Sequence, residues 1–427
     1  MAFPRFLLPW FVTLLMLAAA HRATADETKP LKIGVITFLS GPGAGPMGIP
    51  ARNAAELAFE ALNAGGVPAP YQAKGFGGTP IEMILLDEAG TTSNVVAQYR
   101  QLVQQRGVDM VIGYISSGSC LAVAPVAESM RMLTVFFDCG TPRIFEEASY
   151  KYVFRTCSHA TMDSVAAAKY VRERFPNATR IAGINQNYAW GQDSWRDFEG
   201  SVRAFLPAAA TVTSQMPKLF AGQYGPEISS LLAAQPDIIH TSFWGGDLEA
   251  FILQAVPRGI SNKSVLVLPA GETELQKLAG KIPDGTIVGA RGPHGVFAPD
   301  NALNRWFAKA YEKRHASSPT FTAYQMMQAI LGTKAAYEKA KSAAGGKAPD
   351  TEQIIAAFQG ATFDTPSGPT TMALGKGHQA IHGTAYGMTK MAGGRLTVTN
   401  VTRYAPADVN PPEGVKGEDW IRSGFSR

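Results

Sequence analysis

Apolar runs rich in β-branched residues alternate along this chain with segments whose apolar positions recur at helical spacing, and the alternation occurs twice. In the first series residues 31–39 read as a strand, 49–63 as a helix, Ile81–Asp87 as a strand and Thr92–Arg106 as a helix. Val96, Tyr99 and Val103 mark one face of that second helix, and Gly107 is its stop. Strands at 108–115 and 133–138 flank a helix at 119–130. After a strand-like stretch at 150–157 the second series has strands at 180–185, 238–243 and 264–269, with helices near 161–175, 191–205, 225–234 and 246–258. Helices at 300–315 and 321–341 and a glycine-rich tail of weak strand character complete the chain. Continuous apolar strands separated by helices predict parallel sheets covered on both faces. The expected fold class is α/β, with two wound units of similar size.

The segment ahead of the first strand changes the picture of where this protein works. Arg5 precedes an apolar run over 6–20, the polar pair His21-Arg22 follows, and Ala23-Thr24-Ala25 ends the segment. That order is a secretory signal, and the run is short for a membrane span. Residues 1–25 are therefore expected to be removed, leaving a soluble protein that begins near Asp26 and leaves the cytoplasm. About 400 residues remain, the size of two domains. With 46% hydrophobic and 17% charged residues, they can fill large cores. The net charge of +5 falls to +3 without Arg5 and Arg22, and no run of lysine or arginine concentrates it, which excludes a nucleic-acid partner. Three cysteines, at 120, 139 and 157, allow one bond in three pairings and exclude a disulfide-stapled scaffold. None lies near the cleavage site to carry a lipid anchor.

Two motifs invite chemistry that their surroundings do not support. Gly43-x-Gly45-x-x-Gly48 follows a strand and precedes a helix, as a dinucleotide-binding loop does. The acidic residue expected about 20 positions on is missing, and the acid ending the second strand, Asp87, is more than 40 positions away. Pro42 and Pro46 also stiffen the turn, so no nicotinamide cofactor is expected. His378 and His382 are spaced like half of a zinc-protease motif, but Gln379 stands where the catalytic glutamate belongs and Gly383 weakens the helix. Neither metal binding nor covalent catalysis is expected.

The polar and aromatic residues at strand ends are better candidates, because wound α/β domains bind ligands there. Trp195, Phe198, Val202 and Phe205 recur at helical spacing and read as core. Tyr188 and Trp190 instead lie between a strand end and a helix start, and Phe243 and Trp244 end a strand before Gly245-Gly246. Ser116 and Ser117 lead from a strand into a helix, where hydroxyls and free N–H groups suit a carboxylate. Asp138, Cys139, Gly140 and Thr141 end the neighbouring strand.

Taken in order, these segments resemble the type I periplasmic binding proteins, the leucine/isoleucine/valine-binding family that serves ABC importers. The likeness rests on Ile33-Gly34-Val35 through Leu39-Ser40-Gly41-Pro42, on Leu62-Asn63-Ala64-Gly65-Gly66, and on Val111-Ile112-Gly113 with serines after it. It continues in Phe154-Arg155-Thr156 and in Trp190-Gly191-Gln192-Asp193, where the family usually has Tyr-Gly-x-Gly. The resemblance implies two lobes joined by three strands, a periplasmic location, a membrane permease as partner, no cofactor and no enzymatic activity, in a monomer. Lobe one would comprise 31–157 plus 292–364 and lobe two 158–291 plus 365–427, with crossings at Phe154-Arg155-Thr156, at 287–292 and at Gly368-Pro369.

By the same resemblance Ser117 falls on the carboxylate-binding serine, and Asp138 and Gly140 on two further ligand contacts. Trp190 and Trp244 fall on second-lobe tyrosines, and Glu272 lies near the ammonium-binding glutamate. The implied ligand is a small apolar carboxylate such as a branched-chain amino acid. Tryptophans in place of tyrosines, with Phe136 and Phe137, suit an aromatic carboxylate or amide equally. A secreted ligand sensor, or a hydrolase using Asp138, Asp247 or Glu272, are the competing classes. Cys120 opens a helix after one strand and Cys139 closes the next, which predicts a Cα separation within about 7 Å and a bond between them.

Overall fold

The computed structural model describes Met1 and residues 29–426, so the rest of the expected signal segment lies outside the described residues. Strand β1 (Leu31–Thr37) is followed by α1 (Ile49–Ala64), β2 (Ile81–Asp87), α2 (Thr92–Arg106), β3 (Met110–Gly113), α3 (Ser117–Ser129), β4 (Thr134–Phe136), α4 (Arg143–Glu146) and β5 (Val153–Arg155). The second unit holds α5 (Ala160–Arg174), β6 (Arg180–Ile184), α6 (Ala189–Phe205), β7 (Ala210–Gln215), α7 (Gly225–Ala234), β8 (Ile238–His240), α8 (Gly246–Ala255), β9 (Val265–Leu268) and β10 (Ile287–Gly289). Helices α9 (Ala302–His315), α10 (Phe321–Ala343) and α11 (Thr351–Phe358) return to the first unit with β11 (Thr362–Phe363), β12 (Thr370–Leu374) and β13 (Gln379–Ile381). Strands β14 (Thr384–Ala392) and β15 (Arg395–Tyr404) and the short helices α12 (Pro406–Val409) and α13 (Gly417–Arg422) complete the second.

The result is two lobes, each a mostly parallel sheet between helices. The first sheet runs β11-β12-β13-β5-β4-β3-β1-β2 and the second β15-β14-β10-β9-β8-β6-β7. Strand β13 pairs with β5, so β12 and β13 belong to the first sheet. The third passage between lobes thus falls at His382-Gly383 and not at Gly368-Pro369. The glycine and proline there serve a local turn, in which Thr365 and Gly368 exchange two main-chain hydrogen bonds.

Local chemistry explains the element ends. Thr91 caps α2 through its side chain, and Gly107 stops it in the left-handed region at φ 61. The buried stripe of α2 is Val95, Tyr99 and Leu102, shifted by one residue from the expected Val96 and Val103. Strands are shorter than their apolar runs. Residues 108–115 contract to four because Tyr114 takes φ 75 and turns the chain out of the sheet. Those released residues, at the C-terminal ends of the strands, build the site.

Cys120 and Cys139 form a disulfide with Cα atoms 6.4 Å apart, and Cys157 is a buried free thiol whose pKa burial pushes up to about 12. The bond closes a 19-residue separation, which in a chain-entropy view contributes about 2–4 kcal/mol. Urea unfolding of the Cys120→Ser/Cys139→Ser protein should show a loss of that size. An unchanged midpoint would mean the bond is energetically idle.

Candidate functional site

The facing ends of the two sheets enclose a narrow slot. Ser117, Asp138, Gly140, Ile115 and Met47 line it from the first lobe. Tyr188, Trp190, Trp244 and Ala270 line it from the second, and Arg291 enters from the crossing after β10. Six of the residues expected from the sequence are thus brought together, while Ser116, Cys139, Thr141, Phe243 and Glu272 are not among those lining the slot.

Each wall is pinned by its own hydrogen bonds. Trp190 sits in the first turn of α6 and donates from Nε1 to the Ser242 carbonyl at 2.8 Å. Trp244 Nε1 donates to the Tyr188 hydroxyl at 2.7 Å, which ties the two aromatic groups together. Ser117 Oγ accepts from Thr141 N–H at 3.1 Å, which leaves its own proton free to donate into the slot. Gly140 lies directly under the Trp190 ring, where a Cβ would overlap ring atoms and come 2.8 Å from Arg291 Nη2.

Two residues at or beside the slot carried no recognised motif. Arg291, 5% exposed, has its guanidinium 4.5 Å over the Trp190 ring and donates from Nη1 to Asp138 Oδ1 and to the Asp138 carbonyl, both at 2.6 Å. Its Nε reaches Asp163 Oδ2 at 3.3 Å and its Nη2 the Ser158 carbonyl at 3.0 Å. Its backbone is left-handed at φ 50, a strained conformation that the surrounding contacts hold in place. The available signal was a single arginine closing the apolar run at 287–292. Glu88 is the other. Its carboxylate accepts the Ile115 and Ser116 N–H groups at 2.8 Å each, so part of the anion cradle expected at the start of α3 is filled by the protein itself.

The remaining expected site residues have structural duties. Phe243 packs in the second lobe against Tyr224, with ring centroids 4.8 Å apart. Glu272 accepts the Phe321 N–H at 2.8 Å at the start of α10 and is not among the residues lining the slot. Cys139 is held in the disulfide, and its carbonyl accepts from Arg155 Nη1 at 2.9 Å. Thr141 Oγ1 donates to Asp193 Oδ2 at 2.6 Å across the lobes, and Arg143 Nη2 pairs with Asp193 Oδ1 at 2.8 Å. Asp247 accepts from Gln186 Nε2 and from Phe220 N–H, both at 2.7 Å. The acid–base set that a hydrolase would draw from Asp138, Asp247 and Glu272 is therefore not assembled at the slot.

The two suspect motifs also find their place. Gly48 has no room for a Cβ beside the Phe38 carbonyl, and Gly43 packs near Trp244. The glycine loop is a close-approach surface: Gly246 N–H of the second lobe donates to the Pro42 carbonyl of the first at 3.0 Å. His378 and His382 flank strand β13 at the hinge. Both are buried, with Nδ1 atoms against the Val153 and Gly383 carbonyls at 2.9 and 3.0 Å.

Burial sets the titration of the site and its surroundings. It pushes Glu88 up to about 8 and Glu272 and Glu274 to about 7, and it raises Asp138 and Asp163 against the opposing pull of Arg291. A folded carboxyl with a raised pKa contributes stability that is complete below its unfolded pKa and lost as pH rises through the folded one. Buried histidines such as His240 and His382, lowered by burial to about 3 and 4, act only below about pH 6.5 and in the opposite sense. The melting temperature should therefore fall between about pH 6.5 and 8.5, and Glu88→Gln should flatten the upper part of that fall. A level profile across the window in the unaltered protein would refute this assignment.

A family model described as periplasmic binding protein matches residues 30–394. A leucine-, isoleucine-, valine-, threonine- and alanine-binding protein of Pseudomonas aeruginosa is 24% identical over 355 residues, covering 82% of this chain and 87% of its own length. A solute-binding protein of an ABC transporter from Rhodopseudomonas palustris, solved with benzoate, superposes with a TM-score of 0.75 at 20% identity over 91% of this chain and all of its own. A second, from Rhodopseudomonas palustris BisB5 and solved with 3,4-dihydroxybenzoic acid, has a TM-score of 0.74 at 22% identity, covering 88% and 98%. With that family model spanning most of the chain and two wound lobes closing on one slot, this protein belongs to the periplasmic binding protein family.

Proposed function

We propose that this protein captures a small apolar carboxylate between its lobes in the periplasm and delivers it to the membrane permease of an ABC importer, acting as a monomer without catalysis. Residues 1–25 would direct export and be removed in the course of it. The observation that carries the reading is the slot itself: Ser117 of one lobe and the pinned aromatic pair Tyr188–Trp244 of the other line the same space. Only the closed arrangement lets both lobes touch one ligand, so the ligand favours closure by its differential affinity for that form. A branched-chain amino acid is one candidate, in keeping with the Pseudomonas relative. An aromatic acid is favoured by the indole and phenol walls, each ring able to bury roughly 150–250 Å², and by the position of Glu272 outside the slot's lining.

Calorimetry with leucine and with benzoate tests this. Ser117→Ala should weaken every carboxylate alike, by about 1.5–3 kcal/mol for one hydrogen bond to a charged acceptor. Trp244→Ala should penalise benzoate more than leucine, because it removes wall area and leaves charge complementarity intact. No binding of either compound, or no loss in Ser117→Ala, would refute the reading.

A further inference from the structure

A second cavity, of about 190 Å³, lies beside the hinge strands and shares no lining residue with the slot. The first lobe lines it with Phe145 and Glu146 of α4, Leu374 of β12, Arg155 of β5 and Gln379 of β13. The second supplies His159 at the start of α5 and the turn 411–416 between α12 and α13. Arg155 sets this cavity apart. It is 1% exposed, yet every acceptor it meets is neutral: Nε donates to Gln379 Oε1, and Nη1 to the Cys139 and Thr141 carbonyls. It forms no ion pair among the described residues, and burial pulls its pKa down to about 10. Buried cations are ordinarily matched by an anion, because an uncompensated one is costly. The acids at this cavity are engaged elsewhere. Glu146 accepts the Gly417 N–H at 2.8 Å, and burial raises its pKa towards the neutral form. Glu413 is exposed and accepts the Lys376 N–H at 2.8 Å. His159, 3% exposed, leaves Nδ1 without a hydrogen-bond partner among the described residues.

We propose that this cavity is a second binding site, for a small organic carboxylate whose anionic group pairs with Arg155 while its apolar body lies against Phe145, Leu374 and Val415. The site does not depend on what the slot takes. Lysines 376 and 416 share the exposed rim with Glu413, so the mouth does not repel an anion. Walls from both lobes mean that an occupant joins them at the hinge and favours this arrangement over one with the lobes parted.

Calorimetry with benzoate and its uncharged isostere benzamide tests the site. Benzoate should show a binding event that Ser117→Ala leaves unchanged. Benzamide should bind there at least about 10-fold more weakly, for want of a charged acceptor for Arg155. Arg155→Gln should weaken the same event about 10- to 100-fold. Val415→Glu, which sets a like charge in the cavity wall, should weaken it about 5-fold or more. Val415 is 40% exposed, so this variant keeps the fold and decides alone if Arg155→Gln, which gives up bonds to two carbonyls, does not fold. Benzoate binding that is lost only in Ser117→Ala, that ignores Val415→Glu, or that benzamide equals would overturn the second site and leave the slot reading standing. No benzoate binding at all would overturn the second site, and the slot reading would fall with it only if leucine also failed to bind.

Discussion

Replacing Gly140 by alanine is expected to leave both lobes folded and to prevent them from closing on a ligand. Gly140 belongs to the first lobe and Trp190 to the second, and the added Cβ would overlap the indole ring and crowd Arg291 Nη2 at 2.8 Å. Neither neighbour yields easily. Trp190 is tied through Nε1 to the Ser242 carbonyl, and Arg291 is held by two acids and two carbonyls. Gly140 is not among the glycines with positive φ, so its backbone accepts alanine and the effect is confined to the interface between lobes. Overpacking of this kind costs about 1–3 kcal/mol, which, charged to the closed form alone, lowers affinity by roughly 5- to 150-fold. Calorimetry with benzoate and leucine reads the loss, and small-angle scattering with and without ligand reads the closure. Wild-type affinity in Gly140→Ala would mean that the lobes can close on ligand without Trp190 lying over this residue.

Arg291→Gln should be the most destabilising of the substitutions considered, by about 3–5 kcal/mol, because it strands two buried carboxylates without their cation. Asp138 and Asp163 both lean on this guanidinium, which bridges them across the lobes. The penalty should depend on pH with a definite sign. Without the cation both acids titrate at still higher pH, so at pH 5 they are largely protonated with or without it, and the deficit grows as pH rises through their folded pKa values. Urea unfolding of the variant should therefore show a smaller deficit at pH 5 than at pH 8. An equal deficit at both would assign Arg291 a packing role over Trp190, 4.5 Å away, in place of an electrostatic one.

The contrast between Arg291 and Trp190 shows what a sequence can disclose. Trp190 was legible because strand end, aromatic pair and helix start are contiguous, and each element obeys its local period. The same holds for α2, whose start and stop are written in Thr91 and Gly107. Arg291 acquires its role only when Asp138, 153 positions earlier, is brought against it by the folding of two sheets. Glu88 likewise finds the Ile115 and Ser116 N–H groups across adjacent strand ends. Strands β12 and β13 were legible only as weak strand character in a glycine-rich tail, for a related reason: Thr370–Leu374 and Gln379–Ile381 are short and rich in threonine, alanine and glycine neighbours. They become strands by pairing beside β5, and that pairing moved the third passage from Gly368-Pro369 to His382-Gly383. Glu272 was placed by nearness in sequence to a family position, yet the start of α10 had a stronger claim on its carboxylate.

The hydrogen bond from Gly246 N–H to the Pro42 carbonyl has a consequence for how such a protein can diversify. It joins the lobes through backbone atoms alone, and Gly245 beside it, at φ 60, has the Pro42 carbonyl where a side chain would begin. Exchanging the side chain of Trp190 or Asp138 leaves this main-chain donor and acceptor in place, while Trp244, packed beside Gly43, borders them. This one contact between the lobes is thus encoded apart from the slot's side chains, whereas the Gly140–Trp190 and Asp138–Arg291 contacts belong to wall and closure together. A library that varies the wall residues should therefore keep this backbone latch while altering the other contacts that close the lobes.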